Sequence, residues 1–506
     1  MSQIKKGAIL NYATILTTNL VGLLITPFII RYLGDEEFGL FNLIGAFVGY
    51  ISILDFGLSN TIIRFVAKYQ AEKDQKGEAN FLATTLIIYG FISILVLLIG
   101  GVCYMNLEAI FADSLSPDEI GKAKIMFAIL VFALAIGLPA NAFEGICFGY
   151  ERFAYPKAAK LIRYLVRSVL VIGLLLLGGK AVALVILDVT LNIILFGVIL
   201  YYVFRKIKVH IRLYSWNREL LAKIFGYSVW IFIFVLVGQF QWKVGQLVLG
   251  VMTNTTLVAI FAIGVMLGSY YGAFSSAITG VLLPRATQMT VGNASAEELT
   301  NMMIKVGRLS FIVLMYILGA FLLYGQQFIL LWVGETYGDS WWIALIIMIA
   351  YTLPLVQGFG NSILEACNKL RFKAIVYLTF LILGTLLGAY LTRSYGAIGM
   401  ILGSVTGWMI GQNIMNFYYH FKIHLNIPRF FLGLLQKTLV SFLIILLIGY
   451  AIWWIPGSGW INFGLKAILY SGVYAIIMYR WGLNSFERNL ILQVIPARLL
   501  KSGKTK

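Results

Sequence analysis

Charge is scarce in this chain. Only 12% of its 506 residues are Asp, Glu, Lys or Arg, against roughly 25% in an average soluble domain. That scarcity excludes a protein holding several soluble cores in water behind a charged surface. Cysteine is nearly absent: Cys103, Cys147 and Cys367 give neither a disulfide framework nor a metal-ligand spacing, so no metal is expected. The three histidines, His210, His420 and His424, lie on short polar segments. No phosphate-cradling glycine loop of the Walker type occurs. Hydrolytic or redox catalysis and direct use of ATP are therefore not expected. The chain is read as a non-enzyme without a cofactor.

Apolar residues make up 60% of the sequence and come in stretches of about 18 to 28 residues. Each is long enough to cross a ~30 Å hydrocarbon layer as a helix, which satisfies its own backbone hydrogen bonds there. The spans are placed at 7–30, 38–63, 80–104, 121–147, 157–178, 181–203, 221–250 and 256–284, then at 304–323, 341–364, 374–392, 397–419, 432–453 and 461–479. The expected fold is an all-α polytopic membrane protein of about fourteen transmembrane helices. The polar Met1–Lys6 runs straight into a full-length span, which reads as an uncleaved first helix rather than a signal peptide.

The net charge of +18 is a matter of topology. Alternate loops put about thirty basic residues on one side, including Lys5, Lys6, Arg152, Arg205, Lys206 and Lys422, against Arg31, Lys122, Lys124, Lys180 and Arg393 on the other. The positive-inside rule makes both termini cytoplasmic, and no nucleic acid partner is expected. Trp332, Trp341, Trp342, Trp453, Trp454, Trp460 and Trp481 fit interfacial belts.

The two halves echo each other about 220 residues apart. Phe41 and Arg64 bracket the second span, and Phe261 and Arg285 the eighth. Glu144-Gly-Ile-Cys147 before Arg152-Phe153 is matched by Glu365-Ala-Cys367 before Arg371-Phe372. An even number of spans between copies predicts a parallel pseudo-repeat of two six-helix lobes, with a binding site between them near the midplane. The lobes are residues 1–205 and 221–425, joined by a cytoplasmic linker, 206–220; two C-terminal helices, 426–481, and a basic tail, 482–506, follow.

Polar groups within the spans are functional candidates because burying them in lipid is expensive. Lys243 has Gln239 four residues before it and Gln246 three after, which places all three on one helix face. The repeat maps them onto Asn19, Leu23 and Thr26 of the first span, where Asn11, Thr14, Thr18 and Gly22 add a polar or small stripe. At about 10 Å from the outer end of its span, Lys243 either faces a cavity or snorkels outward. Arg64 and Arg285 are either interfacial anchors or guanidinium ligands for a phosphate-bearing headgroup. Asp55, in Leu54-Asp-Phe-Gly-Leu-Ser-Asn60, either takes a proton or cation or serves structural hydrogen bonding. Gly57, Ser59 and Asn60 loosen the helix beside it. Arg167 and Asp188 lie at similar depths and are expected to form a structural ion pair. Glu144 and Glu365, near Arg152 and Arg371, are read as helix-end ion pairs or a cytoplasmic gate.

Pro27-Phe-Ile-Ile-Arg-Tyr-Leu-Gly-Asp-Glu-Glu-Phe-Gly-Leu-Phe41, then Leu54-Asp-Phe-Gly-Leu58 and Arg64, resembles the start of the bacterial polysaccharide-biosynthesis flippases. These form the Wzx-like branch of the multidrug/oligosaccharidyl-lipid/polysaccharide exporter superfamily. Tyr150-Glu-Arg-Phe153, Pro284-Arg285 and Asn368-Lys-Leu-Arg-Phe372 extend the resemblance over essentially the whole chain. It implies two six-helix lobes around a cavity and alternating access in the bacterial cytoplasmic (inner) membrane. It also implies transport of undecaprenyl-diphosphate-linked oligosaccharide to the outer leaflet, for O-antigen or another surface polymer. On that reading Lys243, Arg64 and Arg285 take the diphosphate, and Gln239, Gln246, Asn19 and Asn11 the sugar hydroxyls. Asp55 and Glu144 couple transport to H+ or Na+. Membrane lipids and a polysaccharide polymerase or chain-length regulator are the further partners. The alternatives are a cation-coupled multidrug extruder and, from another class, a membrane-embedded glycosyltransferase or polymerase.

Overall fold

A computed structural model describes residues 3–216, 218–279, 283–292, 294–367 and 369–494. Among them every regular element is helical. In chain order the α-helices are α1 (Gln3–Leu33), α2 (Asp35–Ile51), α3 (Leu58–Glu72), α4 (Gln75–Phe111), α5 (Pro117–Gly149), α6 (Ala154–Leu176), α7 (Ala181–Tyr202), α8 (Arg218–Trp242), α9 (Val244–Met252) and α10 (Thr255–Thr279). There follow α11 (Leu283–Val291), α12 (Ala296–Val333), α13 (Ser340–Val356), α14 (Gly358–Ala366), α15 (Leu370–Lys422), α16 (Ile427–Leu435), α17 (Thr438–Trp453), α18 (Gly459–Ile477) and α19 (Ser485–Val494).

The long helices start where the sequence supplies caps. Ser116 with Glu119 and Ser295 with Glu298 form complete capping boxes at α5 and α12, satisfying backbone donors that would otherwise be orphaned. The Asp74 side chain accepts from the Gly77 amide at the start of α4. The helices α4 and α12 hold 37 and 38 residues and begin about 220 residues apart.

Eleven described helices are long and apolar enough to cross a membrane, or twelve when the bent pair α16–α17 counts as one span. Two features separate this from the expected fourteen. In α15 the backbone leaves helical geometry at Gly396 (φ 52°, ψ −134°), and the two arms fold back on each other. A Cβ on Gly403 would lie 2.1 Å from the Gly388 nitrogen, and one on Gly407 would lie 2.1 Å from the Phe380 oxygen. Glycine is what lets the arms touch backbone to backbone. The arms correspond to the expected spans 374–392 and 397–419. The second feature is α6, whose Lys157, Lys160, Arg163 and Arg167 keep it out of the purely apolar class.

Several spans expected to be continuous are broken. The second is interrupted by a 3-10 turn, Ser52–Asp55, and by Phe56 and Gly57 in left-handed conformation (φ 49° and 65°). The seventh breaks at Lys243, between α8 and α9. The thirteenth begins as the short amphipathic α16 and bends by 40° into α17.

Contacts gather the chain into two units, Met1–Ile263 with Arg371–Trp408, and Gly264–Leu370 with Met409–Lys506. In the first, α5 packs against α2, α3, α4 and α7, and α1 lies along α6. In the second, α12 is the spine and touches α13, α16, α17 and α18. Its approach to α17 depends on Gly449, where a Cβ would meet Leu323 at 2.5 Å.

Candidate functional site

In the first unit, the broken second span runs antiparallel along the broken seventh. Successive contacts join Thr61 to Ser228 (Oγ1 to Oγ, 3.0 Å), Phe56 to Phe232 (stacked, 4.9 Å) and the Tyr50 hydroxyl to the Gln239 carbonyl (3.3 Å). Farther along, a Cβ on Gly250 would strike Leu43 at 2.1 Å. Lys243 thus lies, along the pair, level with the stretch of α2 between Tyr50 and Leu43. Its φ of −122° and ψ of −29° end α8, while its amide still bonds the Gln239 carbonyl at 2.9 Å.

Nine residues of α9 follow Lys243, about 14 Å of helix at 1.5 Å per residue. The side chain is exposed and forms no ion pair with any described residue. Its flanking amides differ from it: Gln239 is half-buried, and Gln246 is only 3% exposed. Both carry a buried Oε1 without a hydrogen-bond partner among the described residues. Such acceptors are costly unless something donates to them. Trp242 meets Trp408 edge-on at 6.1 Å.

Of the other expected ligands, Arg64 is exposed on α3 and Asn19 half-buried on α1. The side chains of Asn11 and Arg285 lie outside the described residues. The hydroxyls of Thr14, Thr18 and Thr26 bond carbonyls of their own helix, which is how threonine remains in a lipid-embedded helix.

A second polar focus lies in the same unit. The 3-10 turn presents Asp55 to the Tyr89 hydroxyl, which donates to Oδ1 at 3.0 Å, and to the Gly57 amide and the Asn141 side chain. One turn beyond Asn141, Glu144 pairs with Lys160 at 2.6 Å. Its partner is thus Lys160 of α6 rather than Arg152, the neighbour in sequence. Arg167 and Asp188 form the expected ion pair, bidentate, with Nη2 2.8 Å from Oδ2, and Arg163 approaches the same carboxylate at 3.9 Å. Thr14, Thr18, Asn141, Glu144, Lys160, Arg163, Asp188 and Asn192 together line a cavity of about 570 Å³. The sequence reading missed Lys160, Arg163 and Asn192. Their signal was present, since Lys160, Arg163 and Arg167 follow helical spacing along one face of α6.

Glu365 is exposed on α14 and forms no ion pair among the described residues. Arg371 instead lies over the Trp230 ring at 4.8 Å, a cation–π contact.

Residues 4–290 match the family described as "Polysaccharide biosynthesis protein". The chain belongs to that family. A curated member-like relative, the "Putative O-antigen transporter" of Shigella flexneri, is 20% identical over 398 residues, covering 76% of this chain and 88% of its own. The "Uncharacterized membrane protein EpsK" of Bacillus subtilis is 25% identical over 354 residues, with 65% and 66% covered. Among solved structures, the lipid II flippase MurJ in an inward closed conformation matches with TM-score 0.72 and 17% identity, over 96% of this chain and 100% of that one. An inward-facing multidrug-resistance MATE transporter matches with TM-score 0.64 and 16% identity, over 83% and 99%. At these identities the structural matches establish the fold, that of the MurJ- and MATE-like transporters. Polysaccharide-biosynthesis membership, this fold and the long apolar helices together mark a multi-pass membrane protein.

Proposed function

We propose that this protein moves undecaprenyl-diphosphate-linked oligosaccharide from the cytoplasmic to the outer leaflet by alternating access, supplying cell-surface polysaccharide synthesis. The observation that carries the proposal is the break at Lys243. It holds a lysine that forms no ion pair with any described residue, flanked by two glutamines whose side-chain oxygens lack partners among them. A cation is suited to a diphosphate, and an unsatisfied carboxamide oxygen to a sugar hydroxyl.

On this reading Lys243 takes the diphosphate with Arg64 and Arg285, while Gln239, Gln246, Asn19 and Asn11 take the sugar. Asp55 and Glu144 are the groups that couple transport to H+ or Na+, and Glu365 belongs to a cytoplasmic gate. Lobes of residues 1–205 and 221–425, both termini in the cytoplasm of a bacterium, and a polymerase or chain-length regulator receiving the product complete the proposal. Transport of this kind breaks no covalent bond, so the protein needs no catalytic group.

The test is the leaflet distribution of lipid-linked oligosaccharide in cells lacking the protein and any second flippase. Accumulation on the cytoplasmic leaflet, cleared by wild type and not by Lys243→Ala, is expected. Absence of accumulation overturns the flippase reading and turns attention to drug efflux.

A further inference from the structure

The helices outside the repeat contain a charge that the transport proposal does not use. On α18, Asn462, Lys466, Tyr470 and Tyr474 recur every four residues, which puts them on one face. All four are buried, with exposures of 8%, 5%, 1% and 7%. Three of them are bonded to α12. Asn462 accepts from the Gln327 amide at 3.2 Å, and the Tyr470 and Tyr474 hydroxyls donate to the Tyr316 and Ile312 carbonyls at 3.3 and 2.5 Å. Lys466, in the middle of this stripe, forms no ion pair or hydrogen bond with any described residue.

A nearly buried lysine without an acceptor is unfavourable unless its ammonium opens on polar space, so its surroundings matter. Lys466 lines a cavity of about 770 Å³ bounded by Gln326, Gln327, Trp341, Trp453 and the 456–459 turn. No carboxylate belongs to that lining. Lys466 follows the start of α18 by seven residues, about 10 Å. It therefore lies just below the face marked by Trp453, Trp454 and Trp460, opposite the C-terminal end of α18. Donors (an ammonium and two carboxamides), aromatic walls and interfacial depth together suit one kind of ligand: a phosphate on a lipid headgroup.

We propose that this cavity binds the phosphate of a lipid in the outer leaflet, with Lys466 as its counter-charge. The proposal takes its leaflet from the cytoplasmic termini of the reading above, but no residue assigned to transport lies in this cavity. The phosphate belongs either to a bulk phospholipid or to the polyprenyl carrier, and the assay separates the two.

Native mass spectrometry of the purified full chain would be used to titrate undecaprenyl phosphate, undecaprenol and phosphatidylglycerol against wild type, Lys466→Met, Lys466→Gln, Lys466→Arg and Lys243→Ala. Wild type should bind undecaprenyl phosphate at least tenfold more tightly than undecaprenol. Lys466→Met and Lys466→Gln should lose that tenfold, and Lys466→Arg should keep it. Equal affinity for phosphatidylglycerol supports the site with bulk lipid as its source; a preference for undecaprenyl phosphate supports it with the carrier. Undecaprenol binding as tightly as undecaprenyl phosphate to wild type overturns the proposal without recourse to any variant. So does a Lys466→Met protein that binds like wild type, and so does loss of the tenfold only in Lys243→Ala.

Discussion

Removing the carboxylate of Glu487 should release the C-terminal helix. Arg308 of α12 and Glu487 of α19 are 5% and 2% exposed and form a two-pronged pair, with Nε 2.6 Å from Oε1 and Nη2 3.1 Å from Oε2. The guanidinium also donates to the carbonyls of Gly433 and Gln436 at 2.9 Å and of Gly482 at 3.1 Å. It thereby satisfies backbone acceptors left open at the end of α16. Breaking a buried pair costs about 3–5 kcal/mol because one charge remains uncompensated. The carbonyl bonds persist in Glu487→Gln, so the lower end, about 3 kcal/mol, applies. At 1.4 kcal/mol per decade that is about a hundredfold shift in the opening of α19. Hydrogen–deuterium exchange read by mass spectrometry on peptides covering 485–494 should show amides exchanging about a hundred times faster. Arg308→Met with Glu487→Leu should not recover the protection, because it also takes the donor from the carbonyls of Gly433, Gln436 and Gly482. Unchanged exchange in Glu487→Gln would refute the argument that this pair holds the helix.

Asp188→Asn should lower stability in a thermal-unfolding assay, and Arg167→Met with Asp188→Leu should recover part of it, because Arg163 loses the same carboxylate. A single variant no worse than the double would contradict the ion-pair account. Gly403→Leu should sharply reduce the yield of monodisperse protein on size exclusion, because its Cβ would lie 2.1 Å from the Gly388 nitrogen, beyond ordinary overpacking of about 1–3 kcal/mol. Asp55→Asn retains an acceptor for Tyr89, so folding should survive while ion-driven transport in proteoliposomes falls at least tenfold. Undiminished transport would remove Asp55 from coupling.

The long apolar runs were legible because lipid imposes one solution on every segment: a self-bonded helix of about twenty residues. The loosening beside Asp55 was legible as well, since Gly57 tolerates positive φ. Nothing comparable announces the break at Lys243; no proline precedes it, and the apolar run continues on both sides. Glu144 was given the wrong partner because distance along the chain was used where the facing of α6 decides. Lys466 escaped notice for a related reason. One lysine within an apolar span reads as an anchor until its burial and its four-residue stripe are seen. Arg167 and Asp188 were paired correctly because adjacent antiparallel spans put matching depths in register.

The most direct measurement is translocation in proteoliposomes. Purified protein is reconstituted with undecaprenyl-diphosphate-linked oligosaccharide loaded on one leaflet, and a membrane-impermeant lectin reports the sugar reaching the other. The account predicts translocation by wild type, retention of part of it by Lys243→Arg, and at least a tenfold loss in Lys243→Ala with the protein still folded. Translocation by Lys243→Ala at the wild-type rate would remove the lysine from the mechanism, and no translocation by wild type under an imposed proton or sodium gradient would contradict the flippase itself.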